Sequence, residues 1–151
     1  VGKSMKKFVF SLDKVLNFKA QTLDIKNNEM LKMQVELKEV EQKIYNLNND
    51  FAETNQRMIL DLQSGLAPMD MAAYKLYLNE INNKIRNYNM LKANLLNLID
   101  KKMAIIIELK TDISGLEHLK EKQFGEYFRL NQKEQEINLE EFVSRSRYFA
   151  V

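Results

Sequence analysis

Apolar residues in the first third of the chain fall at Met30, Met33, Leu37, Val40, Ile44, Leu47 and Phe51, in steps that alternate between three and four. That rhythm is the seam of a heptad coiled coil, and it predicts an amphipathic helix that buries one narrow stripe. Extended backward, the frame meets Leu16 and Leu23 at one seam position but Lys19 and Lys26 at the other; forward, it meets Thr54 and Met58. The seam is therefore strong in the middle and weaker at both ends. Neither glycine nor proline occurs between residues 12 and 62, so one helix over about 12–63 is expected.

The stretch Gln63-Ser64-Gly65-Leu66-Ala67-Pro68-Met69-Asp70 breaks the pattern. Gly65 can end a helix in the left-handed conformation, and Pro68 cannot continue one. Ser64 or Asp70 is expected to cap the next helix. A corner over 64–70 then leads into that second helix, over about 71–147. Its seam runs through Tyr74, Leu78, Ile81, Ile85, Tyr88, Leu95, Ile99, Ile106, Leu109, Ile113 and Leu116, with Lys92, Lys102 and Lys120 in the same frame. Leu91, Leu96 and Leu98 lie just beside it, so the seam either drifts, as in a stutter, or broadens into a wider face. Lysine stems can lie along a seam with their heads in water.

Two long amphipathic helices joined by a short corner give an all-α fold, a long antiparallel two-helix coiled-coil hairpin. The arms are unequal. Folding about residue 67 pairs 12–62 with roughly 72–122 and leaves 123–151 with little antiparallel partner. That overhang still carries Phe124, Tyr127, Phe128, Leu130, Ile137, Leu139, Phe142, Tyr148 and Phe149. Phe8, Phe10 and Phe18 are expected to fold back over some of this surface. The rest would be exposed apolar surface of the kind that marks a binding site, on a helix expected to fray without a partner.

Composition narrows the functions. The 151 residues include no cysteine, no tryptophan, one proline, four glycines and one histidine, His118. Disulfides, thiolate metal sites, thiol catalysis and two-histidine metal sites are excluded. So few glycines and prolines cannot supply the turns of a β fold. The 23 basic and 21 acidic residues are interspersed and leave a net charge of +2, without the basic stripe of a nucleic-acid binder. No apolar run approaches the roughly 20 residues of a membrane span. The start Met5-Lys6-Lys7-Phe8-Val9-Phe10 briefly imitates a signal peptide, but Asp13 and Lys14 end its apolar stretch too early. A cytosolic protein is expected. Val1–Ser4 read as a vector-derived remnant before a natural initiator, Met5, leaving 5–151 as a single hairpin domain. No phosphate loop or pocketed carboxylate pair stands out, so neither enzyme activity nor a cofactor or metal is expected.

Three stretches carry a family resemblance. The opening Met5-Lys6-Lys7-Phe8-Val9-Phe10-Ser11-Leu12-Asp13-Lys14-Val15-Leu16-Asn17-Phe18-Lys19 resembles the start of the flagellar export protein FliJ family in its Gram-positive form. Gly65-Leu66-Ala67 and the subsequent Tyr74, Tyr77, Leu78, Ile81 and Ile85 are similar to that family's corner and second-helix start. Gln132 to Glu136 followed by Glu140-Glu141-Phe142 resembles its tail. The resemblance implies an antiparallel coiled coil that is not itself an enzyme and that works in the flagellar type III export apparatus. Implied partners are the flagellar export ATPase, the cytosolic domain of the export gate, and export chaperones, with peripheral membrane association only through those partners. For the gate it implies contact by Leu47, Tyr77, Ile81, Lys84 and Tyr88; Asp50 and Thr54 fall where the family often carries aromatics.

On the overhang, the residues expected to contact the ATPase are Phe124, Tyr127, Phe128, Arg129 and Phe142. Plainer roles stand beside these. Tyr74 and Tyr88 fit the seam with their hydroxyls at its edge, whereas Tyr77 is off the frame and faces water. Met30, Met33 and Met58 fit the seam as core filler, and His118 reads as a solvated surface residue. Two rival functions remain open: a general cargo-holding export chaperone, and a purely structural self-associating coiled coil. The hairpin reading expects a monomer in dilute solution.

Overall fold

Asp13 opens the first helix. Leu12 accepts the first helical hydrogen bond, from the Leu16 N–H at 2.9 Å, and the Asp13 carboxylate sits in the first turn, where the helix dipole favours negative charge. The computed structural model describes residues 6–149 and consists of two helices, α1 (Asp13–Gln63) and α2 (Pro68–Phe149), with no strand among those residues. Val1–Ser4, expected to be vector-derived, and Met5 lie outside the described residues, as do Ala150 and Val151.

Gly65 ends α1 with φ at +91°, a backbone conformation that side chains with a Cβ rarely adopt. Its N–H reaches the Leu62 carbonyl at 3.3 Å, one of the two bonds of a Schellman-type stop. The second helix begins earlier than residue 71. Pro68 takes the first helical position, where its missing N–H costs nothing and its fixed φ suits the helix. Neither expected cap is the one used. Ala67 accepts the first bond of α2, from Met71 N–H at 3.0 Å, and Ser64 instead donates its hydroxyl to the Leu60 carbonyl. Asp70 lies in the first turn of α2, where it complements the dipole.

Packing divides the chain into two units. In the unit Ile25–Ile106, the α1 and α2 segments run antiparallel. Lys102 reaches Glu29, Lys92 reaches Glu41 at 3.7 Å, and Tyr77 reaches Asp50 at 2.7 Å, so partners on α2 rise in number as those on α1 fall. Its buried residues are Met30, Val40, Leu78, Ile81, Leu95 and Ile106, with Thr54 as the one buried polar side chain among the described residues. All belong to the heptad frames read from the sequence. Each fully buried apolar side chain contributes about 1.5–3 kcal/mol. The α2 frame does not slip. Lys92 and Lys102 stay half-buried in it, while Leu91, Leu96 and Leu98 are exposed at its sides. The seam therefore neither stutters nor takes these three leucines into the buried core. The in-frame lysines are tolerated because their stems pack along the seam and their ammonium groups find acids on α1.

The other unit comprises the described parts of Val1–Asp24 and Ile107–Val151. Here too the antiparallel pairing is marked by ions: Lys19 donates to Asp112 and Lys120 to Asp13, each at 2.9 Å. Phe10 and Leu16 are buried. Phe8 folds back onto α2, its ring 5.3 Å from Phe124 edge-on and 5.5 Å from Tyr127. Phe10 lies beneath the Lys120 ammonium, 6.0 Å from its ring centre. Phe18 does not join this cover; it is 69% exposed. Past Tyr127, α2 continues as helix to Phe149, with no buried residue from 128 to 148.

Candidate interaction surfaces

The mid-hairpin surface is built on the unit Ile25–Ile106. Tyr77 stands one residue before the buried Leu78, which turns its ring to the flank of the seam and leaves it 44% exposed. It does not project freely into water, because its hydroxyl donates to the Asp50 carboxylate at 2.7 Å. That bond raises the Tyr77 pKa above the ordinary tyrosine value, since losing the proton would set phenolate against carboxylate. Tyr74, half-buried in the seam, donates in the same way to Asp61, and its pKa is raised for the same reason. The two tyrosine–aspartate pairs, with Thr54 and Arg57, line an open groove near the corner.

The five residues implied as a gate contact do not share one exposure. Tyr77 and Lys84 face solvent, Leu47 and Tyr88 are half-buried in the seam, and Ile81 is only 3% exposed. Ile81 is a core residue of the hairpin, and a partner that leaves the hairpin closed cannot reach it. Lys43 stands over the Tyr88 ring at 5.5 Å, a cation–π arrangement that holds Tyr88 at the seam edge. The acidic partners were missed from sequence. The antiparallel register sets Asp50 and Asp61 within reach of Tyr77 and Tyr74.

The second surface belongs to the unit containing the C-terminal part of α2. Phe124 and Tyr127 are engaged by Phe8, although Phe124 remains 50% exposed. Phe128 and Phe142 are 51% and 69% exposed, and Arg129 faces solvent. The five residues therefore separate into a pair gathered by the N-terminal segment and three further along that are not. Phe124, Phe128 and Phe142 share a face, since 18 residues from 124 to 142 make five whole helical turns.

Among the described residues no group of three His, Cys, Asp or Glu side chains is placed to hold a metal ion. His118 is a solvent-facing residue, as expected. Met30 is buried, while Met33 and Met58 are half-buried in the seam. No described helix is long and apolar enough to cross a membrane.

Comparison with known proteins covers most of the chain. A curated relative, the flagellar FliJ protein of Bacillus subtilis strain 168, is 24% identical over 141 residues, covering 93% of this chain and 95% of that protein. No solved structure matches. The family model described as flagellar FliJ protein matches residues 8–148, from the Phe8 clasp to Tyr148. The chain belongs to the flagellar FliJ protein family.

Proposed function

We propose that this protein is a non-enzymatic component of the flagellar type III export apparatus. In this reading it binds the export ATPase through the C-terminal part of α2, touches the cytosolic domain of the export gate through its mid-hairpin flank, and assists delivery of export chaperones with their cargo. It acts at the cytoplasmic face of the cell membrane, held there by its partners. The observation that carries the reading is the helix beyond Tyr127, where Phe128 and Phe142 remain open to solvent on a face shared with Phe124. Exposed apolar side chains such as these are costly to leave in water and favour a protein partner. The near-neutral, interspersed charge of the chain suits contact with several equivalent ATPase subunits, none of which can match one asymmetric helix in full.

The gate contact is proposed to rest on Tyr77, Lys84 and Tyr88, with Leu47 and Ile81 supporting them from the seam. The rival of a self-associating coiled coil is disfavoured by intrachain pairing, which already occupies the seam. The test is ATP hydrolysis by the cognate export ATPase with and without this protein. Stimulation and co-sedimentation that weaken in Phe128→Ala/Phe142→Ala support the reading. No stimulation and no co-sedimentation contradict it. If denatured cargo displaces the ATPase from the chain, the cargo-holding chaperone reading is favoured instead.

A further inference from the structure

Five positions on α2 recur every seventh residue just outside the seam: Tyr77, Lys84, Leu91, Leu98 and Ile105. Each immediately precedes a seam residue. Leu91, Leu98 and Ile105 are 45%, 47% and 43% exposed. In a two-stranded coiled coil this flank is half in water and is ordinarily occupied by Glu or Lys. Aliphatic side chains there mark a core wide enough for another helix. The period identifies the occupant further. A seven-residue repeat keeps one bearing only along a supercoiled helix; on a straight one it would rotate by about 20° per heptad. A partner that touches the whole stripe must therefore follow the same supercoil.

The opposite wall of this flank is set by the Tyr77–Asp50 hydrogen bond, which puts the α1 series Glu29, Glu36, Lys43 and Asp50 on the stripe's side. Asp50 is taken by Tyr77, Lys43 lies over Tyr88, and Glu29 is bonded to Lys102. Glu36 is exposed and has no such partner among the described residues. The other flank of α2 carries only Leu96 and Met103 before Asn89 and Lys110 interrupt it.

We propose that the flank Tyr77–Leu91–Leu98–Ile105 is the docking surface for an amphipathic α-helix of a partner protein, which packs beside the hairpin as a third coiled-coil strand and sets a basic side chain against Glu36. The surface continues the mid-hairpin flank toward Ile105 and does not depend on ATPase binding. The probe is a fluorescent synthetic peptide of four heptads, with Leu at both seam positions and Lys beside them, compared with a shuffled peptide of the same composition. The full chain should bind the heptad peptide at least about tenfold more tightly than the shuffled one. Leu91→Lys/Leu98→Lys should weaken that binding at least about tenfold without lowering the melting temperature, and Leu96→Lys/Met103→Lys should leave it unchanged. Replacing the peptide's Lys by Glu should also weaken it. Equal binding of both peptides, or binding indifferent to Leu91 and Leu98, overturns the proposal. So does a melting temperature that falls in Leu91→Lys/Leu98→Lys as far as in Ile106→Ala, which would make the flank core. A wild-type dimer in sedimentation that Leu91→Lys/Leu98→Lys dissolves also overturns it, by assigning the surface to a second copy.

Discussion

Tyr77 donates its hydroxyl proton to Asp50 across 27 residues of sequence, at 2.7 Å. The bond joins the two helices at the side of the seam and fixes the direction of a ring that would otherwise swing in solvent. Its electrostatic signature is a raised Tyr77 pKa. A group whose folded pKa lies above its unfolded value stabilises the fold below the unfolded value, about 10 for tyrosine, and loses that contribution as pH rises through the folded one. Stability should therefore fall above pH ~10. In Asp50→Asn, ultraviolet titration should find Tyr77 ionising at lower pH than in the wild type. Unchanged ionisation would mean that the bond is not formed in solution.

Glu29 gives the opposite dependence. The Lys102 ammonium, half-buried in the seam, hydrogen-bonds its carboxylate and holds its pKa below the ordinary glutamate value, with Lys26 adding to the effect. A depressed folded pKa contributes stability above the unfolded value, about 4.3, that is lost as pH falls through the folded one. Thermal melting between pH 7 and pH 3 should show a smaller acid loss in Glu29→Gln than in the wild type. Equal losses would remove Glu29 from the account of acid sensitivity.

Ile81 and Ile106 are each 3% exposed. Truncating either to Ala should cost about 2–5 kcal/mol in denaturant unfolding, because the cavity left in a packed seam adds to the lost transfer energy. Leu60, 55% exposed, should tolerate Ala within about 0.5 kcal/mol. The contrast bears on function as well. A loss of gate binding in Ile81→Ala that tracks the loss of folded protein identifies Ile81 as a support, not a contact.

At the corner, Gly65 and Pro68 should behave unlike. Gly65→Ala meets no atom within 4 Å of the added Cβ, so its cost is backbone strain alone, about 1–2 kcal/mol. Pro68→Ala should be nearly neutral, since alanine accepts the first helical position. Chemical denaturation of the two variants checks both.

Much of this was legible in the sequence because a heptad states its own register. The steps from Met30 to Phe51 and from Tyr74 to Leu116 identified the seam that the structure buries, and Gly65 marked the end of α1. What could not be read was the cross-helix chemistry. Neither the pairing of Lys102 with Glu29 nor that of Tyr77 with Asp50 follows from one helix alone, because each depends on how far the corner shifts one arm along the other. The cap of α2 was misjudged for a local reason: Pro68 suits the first helical position so well that Ala67, with no side-chain cap to offer, suffices before it. Ile81 was placed on a surface by resemblance, although its own seam position already put it in the core.

The central claim is that one chain doubles back so that α1 and α2 share a seam and the end of α2 is left for a partner. The chain has no native cysteine, so nitroxide labels can be placed at Glu39→Cys and Asn94→Cys without background. Both positions are exposed, and the register of Lys92 with Glu41 sets them beside each other. Pulsed electron–electron resonance should give a short distance, on the order of the 8–10 Å between packed helix axes plus the label arms, unchanged when labelled chains are diluted with unlabelled ones. A distance of roughly 80 Å, expected for 55 residues of uninterrupted helix, or a short distance that vanishes on dilution, would contradict the account.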